Sequence, residues 1–225
     1  MEDRKLSAEN DDKVKEWLSK RRCSQVERKE FDKSIIVDKP IIWVMGPTGA
    51  GKGTQCTKLH LKYGLTHLSP GELMRLEIIE GTDRSKYLCE LMKSGRPVPN
   101  STVIDVISQA IVALAKESKG FVIDGFPLNE EQASEFVEEF GAPSLVLQFD
   151  CNRKILKERL TERNNYNDTT EAIVNRFKTF TALTKPVLEK YDAVSIDAAN
   201  SKEEVNSEIE RLMMARLGLC ASFDE

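Results

Sequence analysis

The segment from Ile41 to Gln55 restricts the possible folds of this chain more than any other. Five apolar residues, Ile41-Ile42-Trp43-Val44-Met45, run directly into Gly46-Pro47-Thr48-Gly49-Ala50-Gly51-Lys52-Gly53-Thr54-Gln55. The apolar run reads as a buried strand, and a glycine-rich turn of the form G-x-x-x-x-G-K leads from it into a helix-forming stretch. A phosphate chain needs several backbone N–H groups aimed into one concavity, and such a loop closes only where side chains leave room. Gly46, Gly49, Gly51 and Gly53 supply that room, with Ala50 the small residue among them. Lys52 can set an ammonium near the β- and γ-phosphates, and the following helix offers its positive end. Gly53 directly follows Lys52 and the hydroxyl of Thr54 comes one residue later, so the spacing leaves ligation of Mg²⁺ by that hydroxyl open. The competing reading is a chance glycine turn before an amphipathic helix. The strand in front and the helical periodicity behind favour a site for a nucleoside polyphosphate.

A chain of 225 residues can bury one sizeable core, so one α/β domain is expected. A formal net charge of −4 argues against general nucleic-acid binding. The five cysteines are scattered and form no C-x-x-C pair or metal-like cluster with the two histidines, which reads as reduced thiols in a cytoplasmic protein. No apolar run approaches a membrane span, the N-terminus has no hydrophobic signal segment, and its many acids disfavour a mitochondrial presequence.

Residues 1 to 38 are charged and lack strand signals; Val14, Trp17 and Leu18 at helical spacing fit a short amphipathic helix within a solvated extension. From Pro40 onward apolar strands alternate with helices. Strands are expected at Ile41–Met45, Phe121–Ile123, Leu145–Phe149 and Ala193–Ile196, with a weaker one at Thr66–Leu68. Their continuous apolarity fits a parallel sheet covered on both faces. Tyr63-Gly64 closes the first helix, Pro99-Asn100 opens another, and Asn152 begins a third with Arg159 and Arg163 at i,i+4 spacing. Ser201 with Glu204 reads as a capping box for the last helix, and Asp168 with Glu171 as the cap of the helix holding Ile173, Phe177 and Phe180. This succession of β-α units predicts a doubly wound parallel sheet.

Two further segments carry chemistry: His67-Leu68-Ser69-Pro70-Gly71-Glu72-Leu73-Met74-Arg75 after the second strand, and Gly120-Phe121-Val122-Ile123-Asp124-Gly125-Phe126-Pro127 around the third. Together with the glycine loop they resemble the adenylate kinase family of nucleoside monophosphate kinases in its short-lid form, from about Pro40 to the C-terminus. The resemblance implies a P-loop α/β fold with a five-stranded sheet over residues 39–225, a small helical monophosphate-binding region near 69–99, and a lid reduced to about 163–169. It implies ATP + NMP ⇌ ADP + NDP with Mg²⁺, AMP first among the acceptors, and a monomer. Lys52 would contact the transferred group, with the loop and Arg159 on ATP. Arg75, Ser69, Val98 and Gln132 would face the monophosphate, and Arg163 and Arg176 would gather around the phosphates. Asp124 would hold Mg²⁺ through water. Each has a bland alternative: a strand-end cap for Asp124, a solvated helix arginine for Arg75, Arg163 or Arg176, a surface pair with Glu162 for Arg159, and a capping-box partner of Asn129 for Gln132.

Three departures bear on activity. The arginine expected after Asp-Gly-Phe-Pro is Leu128, the threonine expected after Ser69 is Pro70, and the lid segment Asn164-Asn165-Tyr166-Asn167-Asp168-Thr169 is short and has no arginine. Leucine has no donor, and proline removes both a hydroxyl and an N–H. Losing two phosphate-directed arginines would cost about 3–6 kcal/mol of transition-state stabilisation, roughly 10²- to 10⁴-fold in rate. Arg84, Lys86 and Arg96 are the candidates to compensate, which spacing alone does not decide. The alternative to a kinase is a protein that keeps the ATP site and has lost transfer, or one that serves a different acceptor.

Overall fold

A computed structural model describes residues 33–81, 84–163 and 169–219. The expected N-terminal helix at Val14, Trp17 and Leu18, and most of the reduced lid, including Asp168, lie outside these residues.

Five strands form one wholly parallel sheet: β1 Ile41–Met45, β2 Thr66–Leu68, β3 Phe121–Asp124, β4 Leu145–Asp150 and β5 Val194–Asp197, in the order β2-β3-β1-β4-β5. All five strands read from the sequence are present, with ends shifted by a residue at most. Every residue of β1 is buried, as its unbroken apolar sequence requires of a central strand covered on both faces. Alternate side chains feed two cores. Trp43 and Met45 face one side, where the Trp43 ring meets Phe126, Phe136 and Tyr191 edge-on, with centroids 5.1–5.6 Å apart. Ile42 and Val44 face the other, with Leu59, Leu147, Phe149 and Ile209.

The helices are α1 Lys52–Tyr63, α2 Pro70–Glu80, α3 Ser85–Ser94, α4 Asn100–Leu114, α5 Glu130–Phe140, α6 Arg153–Arg163, α7 Thr170–Thr179, α8 Lys185–Lys190 and α9 Lys202–Leu217. A π turn over Phe180–Thr184 joins α7 to α8. The capping box at Ser201 and Glu204 is complete. The cap of α7 differs from the expectation: Thr169, not Asp168, is its N-cap, and its hydroxyl accepts from Ala172 N at 3.1 Å. Either residue type can cap, so sequence alone could not choose between neighbours. Pro70 opens α2 at the first helical position, where a missing N–H breaks no helical bond.

Helices α2 and α3 form the small helical region set beside the sheet. Arg84, just ahead of α3, holds it together by donating to both oxygens of Glu77 on α2 and to Asp105 on α4 at 3.4 Å. The Glu77 side chain is only 5% exposed, so removing Arg84 takes a charge-assisted partner from a buried carboxylate. We expect Arg84→Met to destabilise the protein by about 2 kcal/mol, below the value for a fully buried pair because Arg84 keeps solvent contact. Urea unfolding with an unchanged m-value checks this. Gly95 closes α3 at φ 66°, and a Cβ there would lie 2.6 Å from Ala172 O on α7. Gly95→Ala should therefore cost about 1–3 kcal/mol and loosen the packing of α3 on α7, read as a lower thermal midpoint.

Candidate functional site

The parallel strands end on one side, and the loops leaving β1, β2, β3 and β5 meet there, as expected for ligand sites in open α/β sheets. The chain leaves β1 at Gly46, where φ is 148° and a Cβ would come within 2.7 Å of Phe149 O on β4. Gly46 does not line the cleft; it lets the loop turn tightly against the sheet. Gly49, Ala50, Gly51, Lys52, Gly53 and Thr54 do line it. Gln55 is buried in α1 and its amide donates to Lys202 O at 2.9 Å, fixing the start of α9 against the loop.

Lys52 begins α1 and turns its ammonium onto the loop, donating to Gly46 O at 2.9 Å and Pro47 O at 3.0 Å. Burial pushes its pKa below the usual lysine value, Asp124 and Cys56 oppose the shift, and the Arg163 guanidinium adds to it. Asp124 ends β3. Burial works to raise its pKa, but the His67 ring, Lys52 and Arg163 together outweigh that and hold the carboxyl below the usual carboxylate value. It is therefore an ionised oxygen donor at neutral pH, and with the Thr54 hydroxyl on the same cleft it suits a hard cation such as Mg²⁺.

Two clefts share this floor. The larger, about 880 Å³, runs from the loop past Phe149 and Arg159 to Asn200 and Lys202. The smaller, about 320 Å³, lies under α2 and α3 and reaches Val98, Leu128 and Gln132. Lys52, Ser69, Arg75, Asp124 and Arg163 border both. Lys52, Arg75, Arg96, Arg163 and Arg176 line the smaller cleft, and among the described residues Asp124 is its single acid. A lining of this composition suits a phosphate-bearing ligand.

The sequence-derived candidates thus converge, with qualifications. Arg159 stays on the larger cleft and donates to Ala198 O at 2.8 Å, tying α6 to the loop after β5. Arg75 pairs with Glu72, one turn earlier on its helix, through two guanidinium nitrogens. Gln132 is half of the expected cap: its N–H donates to Asn129 Oδ1 at 2.9 Å. Its side chain does not return to Asn129. It accepts from Leu128 N at 2.9 Å and donates to Asn100 Oδ1 at 3.0 Å, so both ends of the amide are engaged within the wall. Thr184 Oγ1 donates to Leu128 O at 2.9 Å, which pins Leu128 on its other side.

Of the three cations that could replace the missing arginine, Arg84 is committed to Glu77 and Asp105, and Lys86 is exposed and lines neither cleft. Arg96 does line the smaller cleft. Sequence reading passed over Asn200 and Lys202, which carry no motif of their own, and it gave His67 no role within its segment. It also found no metal-like cluster. The fold corrects this, because Cys56 on α1, His67 on β2 and Asp124 bring their donor atoms within 4.8 Å of one another. Cys56 and His67 belong to different elements, so their adjacency has no spacing signature.

The loop, the parallel sheet and the pair of clefts define a P-loop nucleotide-binding protein of the α/β class. The sequence model of adenylate kinase matches residues 44–196. The chain is 39% identical to adenylate kinase isoenzyme 1 of Cyprinus carpio over 178 residues, covering 77% of this chain and 89% of that one. It is 40% identical to isoenzyme 1 of Homo sapiens over 177 residues, 75% and 91% of the two chains. Human isoenzyme 5 is 38% identical over 173 residues, 73% of this chain and 31% of that longer protein. The chain belongs to the adenylate kinase family. Among the described residues no helix is long and apolar enough to cross a membrane.

Proposed function

We propose that the protein transfers the γ-phosphoryl group of MgATP to a nucleoside monophosphate, with AMP the first acceptor to test, at a rate lowered by its altered acceptor site. The observation that carries this reading is the smaller cleft, where five cations face one carboxylate and meet the glycine loop at Lys52. ATP lies in the larger cleft with its phosphates on the loop amides and Lys52, and Arg159 borders its nucleoside end. The monophosphate enters beside Ser69, Arg75, Val98 and Gln132. Arg163 and Arg176 neutralise the charge that develops between the two substrates. Asp124, ionised and fixed at the end of β3, would hold Mg²⁺ through water, and the ion would supply charge neutralisation on the ATP phosphates. Catalysis is positional and electrostatic, with no covalent enzyme intermediate. The protein acts as a cytoplasmic monomer without nucleic-acid or membrane partners.

A coupled assay for ADP formation, run with ATP and each of the common monophosphates, tests this; turnover at background for every acceptor would refute it. One observation favours a second reading. Leu128 occupies the wall with its backbone pinned at both ends, and no guanidinium stands at that position. A protein that binds ATP and has lost transfer would bind MgATP and fail to bind AMP in calorimetry, whereas the kinase reading expects both.

A further inference from the structure

We propose that Cys56, His67 and Asp124 form a binding site for a soft transition-metal ion, Zn²⁺ by donor chemistry, that is separate from the use of Mg²⁺ with ATP. The three donors are a sulfur, an imidazole nitrogen and a carboxylate oxygen, the mixture that zinc accepts and that magnesium does not. His67 Nε2 and Asp124 Oδ2 are 3.8 Å apart, and all three donor atoms lie within 4.8 Å of one another. With metal–ligand bonds of about 2.0–2.3 Å, a tetrahedral ion separates its ligands by about 3.3–3.6 Å, so closing the site asks each donor to move by about 1 Å or less.

The scaffold suits such a closure. Cys56 is fully buried on α1, His67 stands on β2, and Asp124 ends the neighbouring β3. His67 and Asp124 line the larger cleft while Cys56 does not. An ion therefore enters from the cleft between the imidazole and the carboxylate and meets the thiol at the closed end. Three protein ligands leave a fourth position facing the cleft for water. Binding forms an S–metal bond as the thiol proton leaves to solvent, so one proton is released per ion bound. Thiolate and carboxylate together balance a divalent charge, and the Lys52 ammonium, which opposes the ion, is turned onto Gly46 O and Pro47 O.

The consequence follows from the shared ligand. A bound Zn²⁺ takes Asp124 from its proposed role beside Mg²⁺ and should oppose MgATP binding. That consequence rests on the proposed function; the metal site itself does not.

The test titrates the full-length protein, reduced and without nucleotide, with Co²⁺ as a coloured stand-in for Zn²⁺. We expect a tetrahedral d–d spectrum with a thiolate-to-cobalt charge-transfer band that saturates at one equivalent, bleaches on adding Zn²⁺, and is lost in Cys56→Ala. Absence of the band in the parent protein, or its persistence in a folded Cys56→Ala variant, overturns the proposal. If the Cys56 variant does not fold, His67→Ala replaces it, with at least tenfold weaker cobalt binding expected and unchanged binding overturning the site. MgATP binding measured without zinc separates the two ideas, because its failure would remove the proposed function and leave the cobalt result standing.

Discussion

Replacing Lys52 by alanine should lower kcat for phosphoryl transfer by about 10²–10³-fold, the effect of removing one preorganised charged donor from the reacting group. Lys52 borders both clefts where they meet the glycine loop, and its half-buried ammonium lies beside the ionised Asp124. In the structure it donates to two loop carbonyls, so engaging a phosphate exchanges those acceptors for a charged one. The exchanged contact strengthens as charge moves toward the oxygens of the transferring group. Accordingly kcat and kcat/KM for ATP should fall together, with the KM for the acceptor little altered. Folding should survive, because removing a desolvated ammonium offsets the loss of its two loop bonds. Steady-state kinetics on a variant with a near-parental melting curve checks this. A fall of less than threefold would place the transferring group elsewhere.

Leu128→Arg should raise kcat/KM for AMP by about 10- to 100-fold. One hydrogen bond to a charged group contributes about 1.5–3 kcal/mol, and a tenfold change corresponds to about 1.4 kcal/mol. The backbone at this position is held by Gln132 on one side and Thr184 on the other, so the new side chain starts from a fixed point on the wall of the smaller cleft. The gain should appear mainly in the AMP terms, with ATP affinity unchanged. Calorimetry with AMP alone reads it directly. No gain would mean that the engaged Gln132 amide and Arg96 have reshaped the acceptor site rather than leaving a missing contact to be restored.

Elements with a strong local cause were legible in the chain itself. The strand–glycine–lysine segment favoured one reading over a chance turn, because a buried strand must exit through a turn that side chains do not block. The capping box at Ser201 and the proline opening of α4 were equally plain, since each is a contact within one turn. What could not be read depended on contacts distant in sequence. Arg84 and Arg96 were indistinguishable as spare cations until the fold placed one against Glu77 and Asp105 and the other on the cleft. The side chain of Gln132 looked like a local cap, yet its amide reaches Asn100, which precedes it by a whole β-α unit. The grouping of Cys56, His67 and Asp124 joins three separate elements and is fixed by sheet order together with the packing of α1 on the sheet.

The most direct measurement is a single turnover with enzyme in excess over γ-labelled MgATP and saturating AMP, following where the label goes. Transfer at the shared floor of the two clefts puts the label into newly formed ADP, with a minor fraction as inorganic phosphate. Label that remains in ATP, or that leaves only as inorganic phosphate, would contradict a phosphotransferase built on Lys52 and the five-cation cleft.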